Sequence, residues 1–172
     1  EGDGDTKVES WTYRIIGVDP GKEQNWSAYA RSVLAFSLMG VLLLYLLQRI
    51  QQWLPFSLGD GPVTPQVAFN TAISFVTNTN WQAYSPETTL GYTVQFAGLV
   101  VQNFVSAATG IAVAVALIRG LARRDSTAIG NFWVDLVRIT GRVLLPGAAI
   151  GAIVLMAGGV VQNLEGFRTV NT

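Results

Sequence analysis

Half of the 172 residues are hydrophobic and only 13% are charged, whereas soluble domains are usually about a quarter charged. The formal net charge is zero, so nothing indicates nucleic acid as a partner. Cysteine and histidine are absent, which excludes disulfides, thiol chemistry and the commonest zinc ligands. The apolar stretches also lack the carboxylate pair that acid–base catalysis would use, so the composition favours a membrane protein over an enzyme.

Residues 1–27 precede any long apolar run. Glu1 to Ser10 is acidic and contains glycine, and we expect a linker or frayed end there, since a signal peptide would need an apolar core. Trp11 to Lys22 mixes aromatic and charged side chains, a composition typical of the membrane interface. This part is therefore predicted to be a linker followed by a cytoplasmic interfacial segment.

The first predicted span runs from about Ala28 to Trp53. Between Arg31 and Arg49 lie 17 uncharged residues, and both arginines can extend their charges toward water. The alternative, a buried helix of a soluble protein, is disfavoured by the length of this apolar run.

The stretch from Gly61 to Pro86 is uncharged but too polar for a simple span. Its early prolines, Pro62 and Pro65, suit the first turn of a helix. Residues 66–76 are mostly apolar and provide about three helical turns, roughly half the depth of a 30 Å hydrocarbon core. The polar sequence TNTN of residues 77–80 follows at once. A half-length helix that ends in a polar loop between two full spans predicts a re-entrant pore loop.

The composition of residues 77–80 fits such a loop. Backbone carbonyl oxygens can replace the hydration shell of an alkali cation, and the C-terminal end of a helix adds negative potential. Thr and Asn side chains can hold the loop, and Asn tolerates left-handed backbone. TNTN is also an ordinary turn and cap composition, and four residues alone would favour that interpretation. The flanking spans favour the pore loop.

A second span is predicted within the 31 uncharged residues from Thr88 to Ile118. It contains the polar side chains of Gln102 and Asn103, which could brace the pore loop, line a cavity below it, or only join helices by hydrogen bonds.

Residues 119–142 are basic and are predicted to form a cytoplasmic loop with a short amphipathic helix over 131–140. A last span follows over 143–164, with 22 uncharged residues and a Gly147–Gly151 spacing that permits close helix packing. Residues 165–172 would begin an extracytoplasmic loop.

Charge predicts the topology. Four basic residues, the last of them Arg31, precede the uncharged core of the first span and five arginines follow the second span, whereas residues 50–118 contain neither Lys nor Arg. The positive-inside rule places both basic regions in the cytoplasm, so the pore loop enters from outside. The predicted fold is an all-α, multi-pass membrane protein in contact with lipid. Residues 28–118 form one span–pore loop–span repeat, and residues 143–172 begin a second.

Three blocks of sequence, TAISFVTNTNWQAYS, GLVVQNFVSAATGIAVAVALIRGLARR and GNFWVDLVRIT, resemble the A subunit of the Kdp potassium-transporting ATPase, in that family's order. The resemblance extends from about Gly17 onward. It implies membership of a superfamily of potassium transporters with four span–pore loop–span repeats. It also implies that Thr77, Asn78, Thr79 and Asn80 form the first repeat's part of the potassium (K⁺) selectivity filter, with Gln82 just above it.

The resemblance further implies a complex in the bacterial cytoplasmic membrane. The partners would be a P-type ATPase subunit that hydrolyses ATP, a single-span C subunit and a small F peptide, with this chain as a non-catalytic subunit. Compared with the family pattern, residues 1–10 stand where another hydrophobic helix is usual, three further pore loops would follow Thr172, and Pro86 stands where glycine is expected. We therefore expect the sequence to be an N-terminal portion of the subunit that contains the first pore repeat. The alternatives are a stand-alone, channel-like potassium uptake subunit and a membrane assembly or scaffold protein that transports nothing.

Overall fold

The computed structural model describes residues 4–123 and 127–160. Within these ranges the structure is almost entirely helical, with one two-residue strand paired to a three-residue strand. The elements, in chain order, are α1 (Lys7–Ile16), β1 (Gln24–Asn25), α2 (Trp26–Ile50), a 3₁₀ turn (Gln51–Trp53), α3 (Pro65–Val76), a 3₁₀ turn (Pro86–Thr88), a π-helical segment (Val94–Val100) that continues into α4 (Val101–Ala122), β2 (Ala128–Gly130), and α5 (Phe132–Ile139), which a π-helical turn (Thr140–Leu144) joins to α6 (Leu145–Ala157).

Three continuous helical segments in the described ranges are long and apolar enough to cross a membrane: Trp26–Trp53, Val94–Ala122 and Phe132–Ala157, of 28, 29 and 26 residues. At about 1.5 Å per residue each exceeds a hydrocarbon core of about 30 Å. The predicted all-α membrane fold is confirmed. Helix α3 has 12 residues, about 18 Å by the same rise, and is therefore too short to cross.

The described residues form two compact units. One comprises those within Glu1–Met39 and Phe104–Pro146, and the other those within Gly40–Asn103 and Gly147–Thr172. The predicted tail, residues 165–172, lies outside the described residues.

In the first unit, residues 7–10 belong to a helix and not to the irregular linker that we expected. The Thr6 hydroxyl accepts a hydrogen bond from the Glu9 amide, and the Glu9 carboxylate accepts one from the Thr6 amide. This reciprocal capping box satisfies two amides that a helix start otherwise leaves unpaired. The sequence Thr-x-x-Glu usually indicates such a box. We did not predict a helix here because residues 1–10 are acidic and contain glycine.

Two carboxylates tie α1 to the helix that begins at Phe132. Arg142 donates hydrogen bonds of 2.6 Å to both oxygens of Glu9, and Arg138 donates to Asp5 at 2.7 and 3.2 Å. The side chains of Asp5 and Glu9 are 2% and 5% exposed. We call these four residues the N-terminal clasp.

The bonds from Arg142 lower the pKa of Glu9 to about 2. Because folding lowers this pKa, Glu9 contributes its full stabilisation above its ordinary pKa of about 4.5 and loses it only as the pH falls toward 2.

A buried polar network joins α2, α4 and α5 within the first unit. The Tyr29 hydroxyl donates to the Ala112 carbonyl at 2.9 Å and lies 3.1 Å from Asp135 Oδ2. Arg119 holds both oxygens of Asp135, at 2.7 and 2.9 Å. The Tyr29 ring meets Phe132 edge-on, in a core that includes three alanines of α4. Hydrogen bonds and apolar packing therefore fix the same three helices.

The short strands lie beside this network. Gln24 of β1 pairs with Gly130 of β2, and a Cβ on Gly130 would lie 2.1 Å from an Arg119 nitrogen. Gly130 also has a φ of +111°, so glycine is required both by space and by backbone conformation.

Residues 119–142 differ from the basic loop that we expected. Helix α4 continues to Ala122, so Arg119 is helical, and the amphipathic helix and the last span form one helix from Phe132 to Ala157. A proline inside an α-helix lacks an amide and crowds the preceding turn. The π-helical turn Thr140–Leu144 stands directly before Pro146 and lets the helix continue through it. Gly147 and Gly151 have open space where side chains would stand, so the predicted close packing is not seen among the described residues.

In the second unit, α3 packs into a core of buried apolar side chains. Ala68 and Ala72 are fully buried on α3, and their small size allows neighbouring segments to approach closely. The core residues are Leu44, Val63, Ala68, Ala72, Phe75, Leu90, Val94 and Leu99. Beside this core, a Cβ on Gly91 would lie 2.5 Å from the Ser57 Cα, so two backbones meet there.

We expect Asp135→Ala to lower the free energy of unfolding by about 3 kcal/mol, because it leaves the Arg119 charge without its partner in a partly buried site. Tyr29→Phe should cost about 1 kcal/mol, the net value of one hydrogen bond. The control is Glu23→Gln, which breaks the solvent-exposed Arg123–Glu23 pair and should cost at most about 1 kcal/mol. Denaturant unfolding of the full-length subunit in mixed micelles measures all three. Equal losses from Asp135→Ala and Glu23→Gln would contradict this account.

Gly91→Ala should destabilise the full-length subunit by about 1–3 kcal/mol, because the new methyl group overlaps the Ser57 backbone, which cannot rotate away. Gly110→Ala is the matched control, since nothing lies within 4 Å of the added carbon in α4. We expect it to be neutral or to stabilise by about 0.5–1 kcal/mol, the usual helix preference for alanine over glycine. Thermal denaturation in detergent compares the two variants. A Gly91→Ala variant as stable as wild type would show that the close approach of Gly91 to the Ser57 backbone is absent.

Candidate functional site

The predicted filter residues Thr77, Asn78, Thr79 and Asn80 directly follow the last turn of α3, and all four are exposed. Helix α3 begins with Pro65 at its first position, as expected from the sequence, and ends at Val76. Its C-terminal end carries the partial negative charge of the helix dipole toward the loop. The structure thus brings the four predicted residues together at the negative end of a short helix.

The amides of this loop all turn back toward the end of α3. The Thr77 amide donates to the Ile73 carbonyl and the Asn78 amide to the Phe75 carbonyl. The next three amides all donate to Ser74: those of Thr79 and Asn80 to its carbonyl, at 2.9 and 3.3 Å, and that of Trp81 to its hydroxyl, at 2.9 Å. Five consecutive amides therefore share one direction.

This arrangement determines where the carbonyls point. Each amide shares a planar trans peptide with the carbonyl of the preceding residue, and the two groups point in opposite directions. The amides of residues 78–81 are directed at the end of α3, so the carbonyls of residues 77–80 are directed away from it. Four successive carbonyl oxygens on one side of a chain form a surface suited to a weakly hydrated cation.

Left-handed backbone at two asparagines makes this possible. Asn78 and Asn80 each have a φ of 59°, and they alternate with threonines whose φ is negative. The left-handed region costs an ordinary L-residue roughly 1–2 kcal/mol, and asparagine is among the residues that enter it most readily. The sequence analysis anticipated this use of asparagine.

The loop side chains bond to one another and to α3. Thr77 Oγ1 lies 2.9 Å from the Ile73 carbonyl and 3.1 Å from Thr79 Oγ1. The Asn80 amide group donates to Asn78 Oδ1 at 3.3 Å. These contacts hold the side chains beside the backbone.

Ser74 organises the loop, but it was not among the site residues predicted from the sequence. It is 3% exposed and sits on the buried face of α3, where an apolar residue would be expected. A polar residue on the buried face of an apolar helix is the pattern that could have identified it, because buried polar groups need hydrogen-bond partners.

Gln48 connects α3 to residues 81–86, the segment after the loop that we call the outer arm. It was not among the residues predicted from the sequence. Its side chain is fully buried; it donates to the carbonyls of Leu44 and Ala68 at 3.0 and 3.2 Å and accepts a bond from the Tyr84 hydroxyl at 2.9 Å. The side-chain amide of Gln48 on α2 thus contacts both α3 and Tyr84, in the segment that follows residues 77–80.

Gln51, one helical turn beyond Gln48, clamps the flanking connections. From the sequence it was placed only within the first predicted span, Ala28 to Trp53. It is fully buried, donates to the carbonyls of Gly61 and Thr89, and accepts a bond from the Gly91 amide. Arg49 also donates to the Val63 carbonyl, just before α3.

The remaining predicted residues lie around the loop. Gln82 is half-buried on the outer arm, and Pro86 occupies the first position of a 3₁₀ turn, where its fixed φ is suited. Gln102 is buried. Its side chain lies close to Gly40 of α2, as does that of Val76, the last residue of α3: a Cβ on Gly40 would lie 3.0 Å from Gln102 Oε1 and 3.2 Å from a Val76 methyl. Asn103 is exposed. Of the two, only Gln102 is buried, and it lies near the end of α3.

The electrostatics favour a cation held by neutral oxygens. Between Arg49 and Arg119 the only charged residues are Asp60 and Glu87, both acidic. Among the described residues no group of three or more His, Cys, Asp or Glu side chains is placed to hold a metal ion. Neutral carbonyls without carboxylates suit a monovalent ion better than a divalent one, for which charged oxygen ligands are typical.

Comparison with known proteins gives a consistent result. The family model described as the potassium-transporting ATPase A subunit matches residues 4–172. Similar proteins, each named potassium-transporting ATPase potassium-binding subunit, occur in Cutibacterium acnes (67% identical over 96% of this chain), Clavibacter sepedonicus (63% over 98%) and Streptomyces coelicolor (60% over 95%). The chain spans 30% of the length of each of these relatives. It belongs to the family of potassium-transporting ATPase A subunits.

Proposed function

We propose that this chain supplies the first part of the potassium pathway of an ATP-driven uptake complex, and that the carbonyls of residues 77–80 are ligands of the ion. The observation that carries the proposal is the common direction of these four carbonyls, away from α3 and on the side opposite to their amides. Carbonyls fixed in this way replace water around potassium without having to reorganise.

The setting supports the same proposal. Three segments able to span a membrane, in a family of potassium transporters, make the chain a multi-pass protein of the bacterial cytoplasmic membrane. The chain is a third or less of its relatives' length, and one loop surrounds an ion from one side only. We propose that three further pore loops of the full subunit supply the other ligands, with Gln82 flanking the outer entrance.

The family also indicates the division of labour in the complex. We propose that ATP is hydrolysed by a P-type ATPase subunit and that a single-span C subunit and a small F peptide complete the assembly. In this arrangement the present chain is non-catalytic, and potassium is its cargo.

The first test separates backbone geometry from side-chain chemistry at Asn80. Asn80→Val should raise the half-saturating potassium concentration for ATP hydrolysis by about 5–30-fold, because a β-branched residue loses roughly 1–2 kcal/mol in left-handed backbone. Asn80→Gly, which adopts this backbone freely, should stay near wild type. The measurement is potassium-stimulated ATP hydrolysis by the purified full complex, repeated with sodium, after assembly has been verified.

Thr79→Val and Thr88→Val form the matched control pair. Thr79 lies in the loop, and Thr88 is an exposed threonine in the turn beyond it. Only the Thr79 variant should change the potassium dependence. If neither Asn80→Val nor Thr79→Val moves the curve in an assembled complex, the loop is structural and the chain acts as a scaffold at this position.

A second test addresses the Gln48–Tyr84 bond. Gln48→Leu and Tyr84→Phe should each raise the half-saturating potassium concentration about threefold, because each removes the bond that holds the outer arm. A threefold change corresponds to about 0.7 kcal/mol of lost binding free energy. The double variant should be no worse than the stronger single variant, since both remove one connection. Gln52→Leu is the control, because Gln52 is exposed in the 3₁₀ turn that follows α2. Additive effects of Gln48→Leu and Tyr84→Phe would show that the two residues act separately.

A further inference from the structure

One face of α1 is apolar and exposed, and it overlaps the segment from Trp11 to Lys22 that the sequence predicts to lie at the membrane interface. Val8, Trp11 and Ile15 are 71%, 64% and 61% exposed. Their spacing of three and four residues places them on one side of the helix. The opposite side contains Glu9 and Tyr13, both buried.

Two cations lie along one edge of this apolar face. Lys7 and Arg14 are exposed and, at 100° per residue, both lie next to Trp11 on the side away from Glu9. An apolar stripe bordered by basic residues on a short helix is the pattern of a helix that lies in the surface of a membrane.

The N-terminal clasp fixes where α1 stands relative to the spans. Arg142, which holds Glu9, is the last charged residue before the 22 uncharged residues 143–164. A span begins where charges end, so Arg142 marks the boundary between hydrocarbon and water. The clasp therefore holds α1 at the level of the lipid headgroups.

A groove beside the same face is open to lipid as well. It has a volume of about 590 Å³ and lies between α1 and the helix that begins at Phe132, with Val8 shared between the groove and the exposed face. The apolar part of its lining includes Val105, Leu136, Val137 and Leu145. An acyl chain fits such a lining, because it needs no hydrogen-bond partners.

We propose that α1 is a membrane-surface helix, with Val8, Trp11 and Ile15 inserted among the acyl chains of the cytoplasmic leaflet and Lys7 and Arg14 in contact with anionic phospholipid headgroups. A protein partner suits this face less well, because a 10-residue helix is about 15 Å long and offers much less area than a stable interface buries.

The test uses nitroxide labels at Trp11→Cys and Ile15→Cys, in the full complex freed of other reactive cysteines and reconstituted into phosphatidylglycerol–phosphatidylethanolamine vesicles. Both sites are exposed, so the substitutions remove no buried contact. Accessibility of each label to oxygen, which concentrates in lipid, is compared with accessibility to a water-soluble nickel chelate. A label at Lys22→Cys, in the exposed turn before α2, provides the aqueous reference.

We expect the labels at positions 11 and 15 to be several-fold more accessible to oxygen than to nickel, and the label at position 22 to show the reverse. Nickel access at positions 11 and 15 would place α1 in water, and access to neither reagent would place it under another protein. Either result overturns the proposal.

The headgroup contact has a separate readout. Replacing phosphatidylglycerol by phosphatidylcholine, or combining Lys7→Gln with Arg14→Gln, should reduce the depth of both labels. Unchanged depth in both experiments would refute the contact with anionic headgroups. Neither readout depends on the potassium-binding role of residues 77–80, so failure of that proposal would be distinguishable.

Discussion

Each backbone amide in the loop after α3 needs an acceptor, and the end of one helix supplies all of them. Ser74 accepts three amides, two at its carbonyl and one at its hydroxyl, while Ile73 and Phe75 accept the others. Because a trans peptide separates its two polar groups, satisfying the amides on one side directs the carbonyls to the other. The candidate ion-binding surface is thus a direct consequence of how the loop satisfies its own hydrogen bonds.

Buried glutamines extend this constraint to the rest of the second unit. A glutamine has both donors and an acceptor, so one side chain can join segments whose backbone groups would otherwise lack partners. Gln48 joins α3 to Tyr84, and Gln51 joins the connection before α3 to the segment that follows the loop of residues 77–80. Gln48 lies in the last turn of α2 and Gln51 in the 3₁₀ turn that continues it, so one continuous helical segment contacts the chain before and after the loop.

The first unit uses charge where the second uses neutral amides. The Arg119–Asp135 pair and the N-terminal clasp both lie where charged residues border uncharged runs. Partly buried arginines with bidentate carboxylate partners retain their hydrogen bonds there and fix the helices that they join. Between Arg49 and Arg119 the chain contains no basic residue, so none that would repel a cation lies near residues 77–80 along the sequence.

The sequence by itself determined the spans, the short helix over 65–76 and the use of asparagine in left-handed backbone, because runs of apolar residues and single-residue preferences are local properties. It also identified the family through TNTN and two further blocks. Only the tertiary structure decided that residues 7–16 form a helix with one buried side and one exposed apolar side, that the helix from Phe132 continues past Pro146, and that Ser74, Gln48 and Gln51 position the loop. These features depend on hydrogen bonds and ion pairs between residues far apart in the chain, such as Glu9 with Arg142, and spacing along a sequence does not specify which distant partners meet.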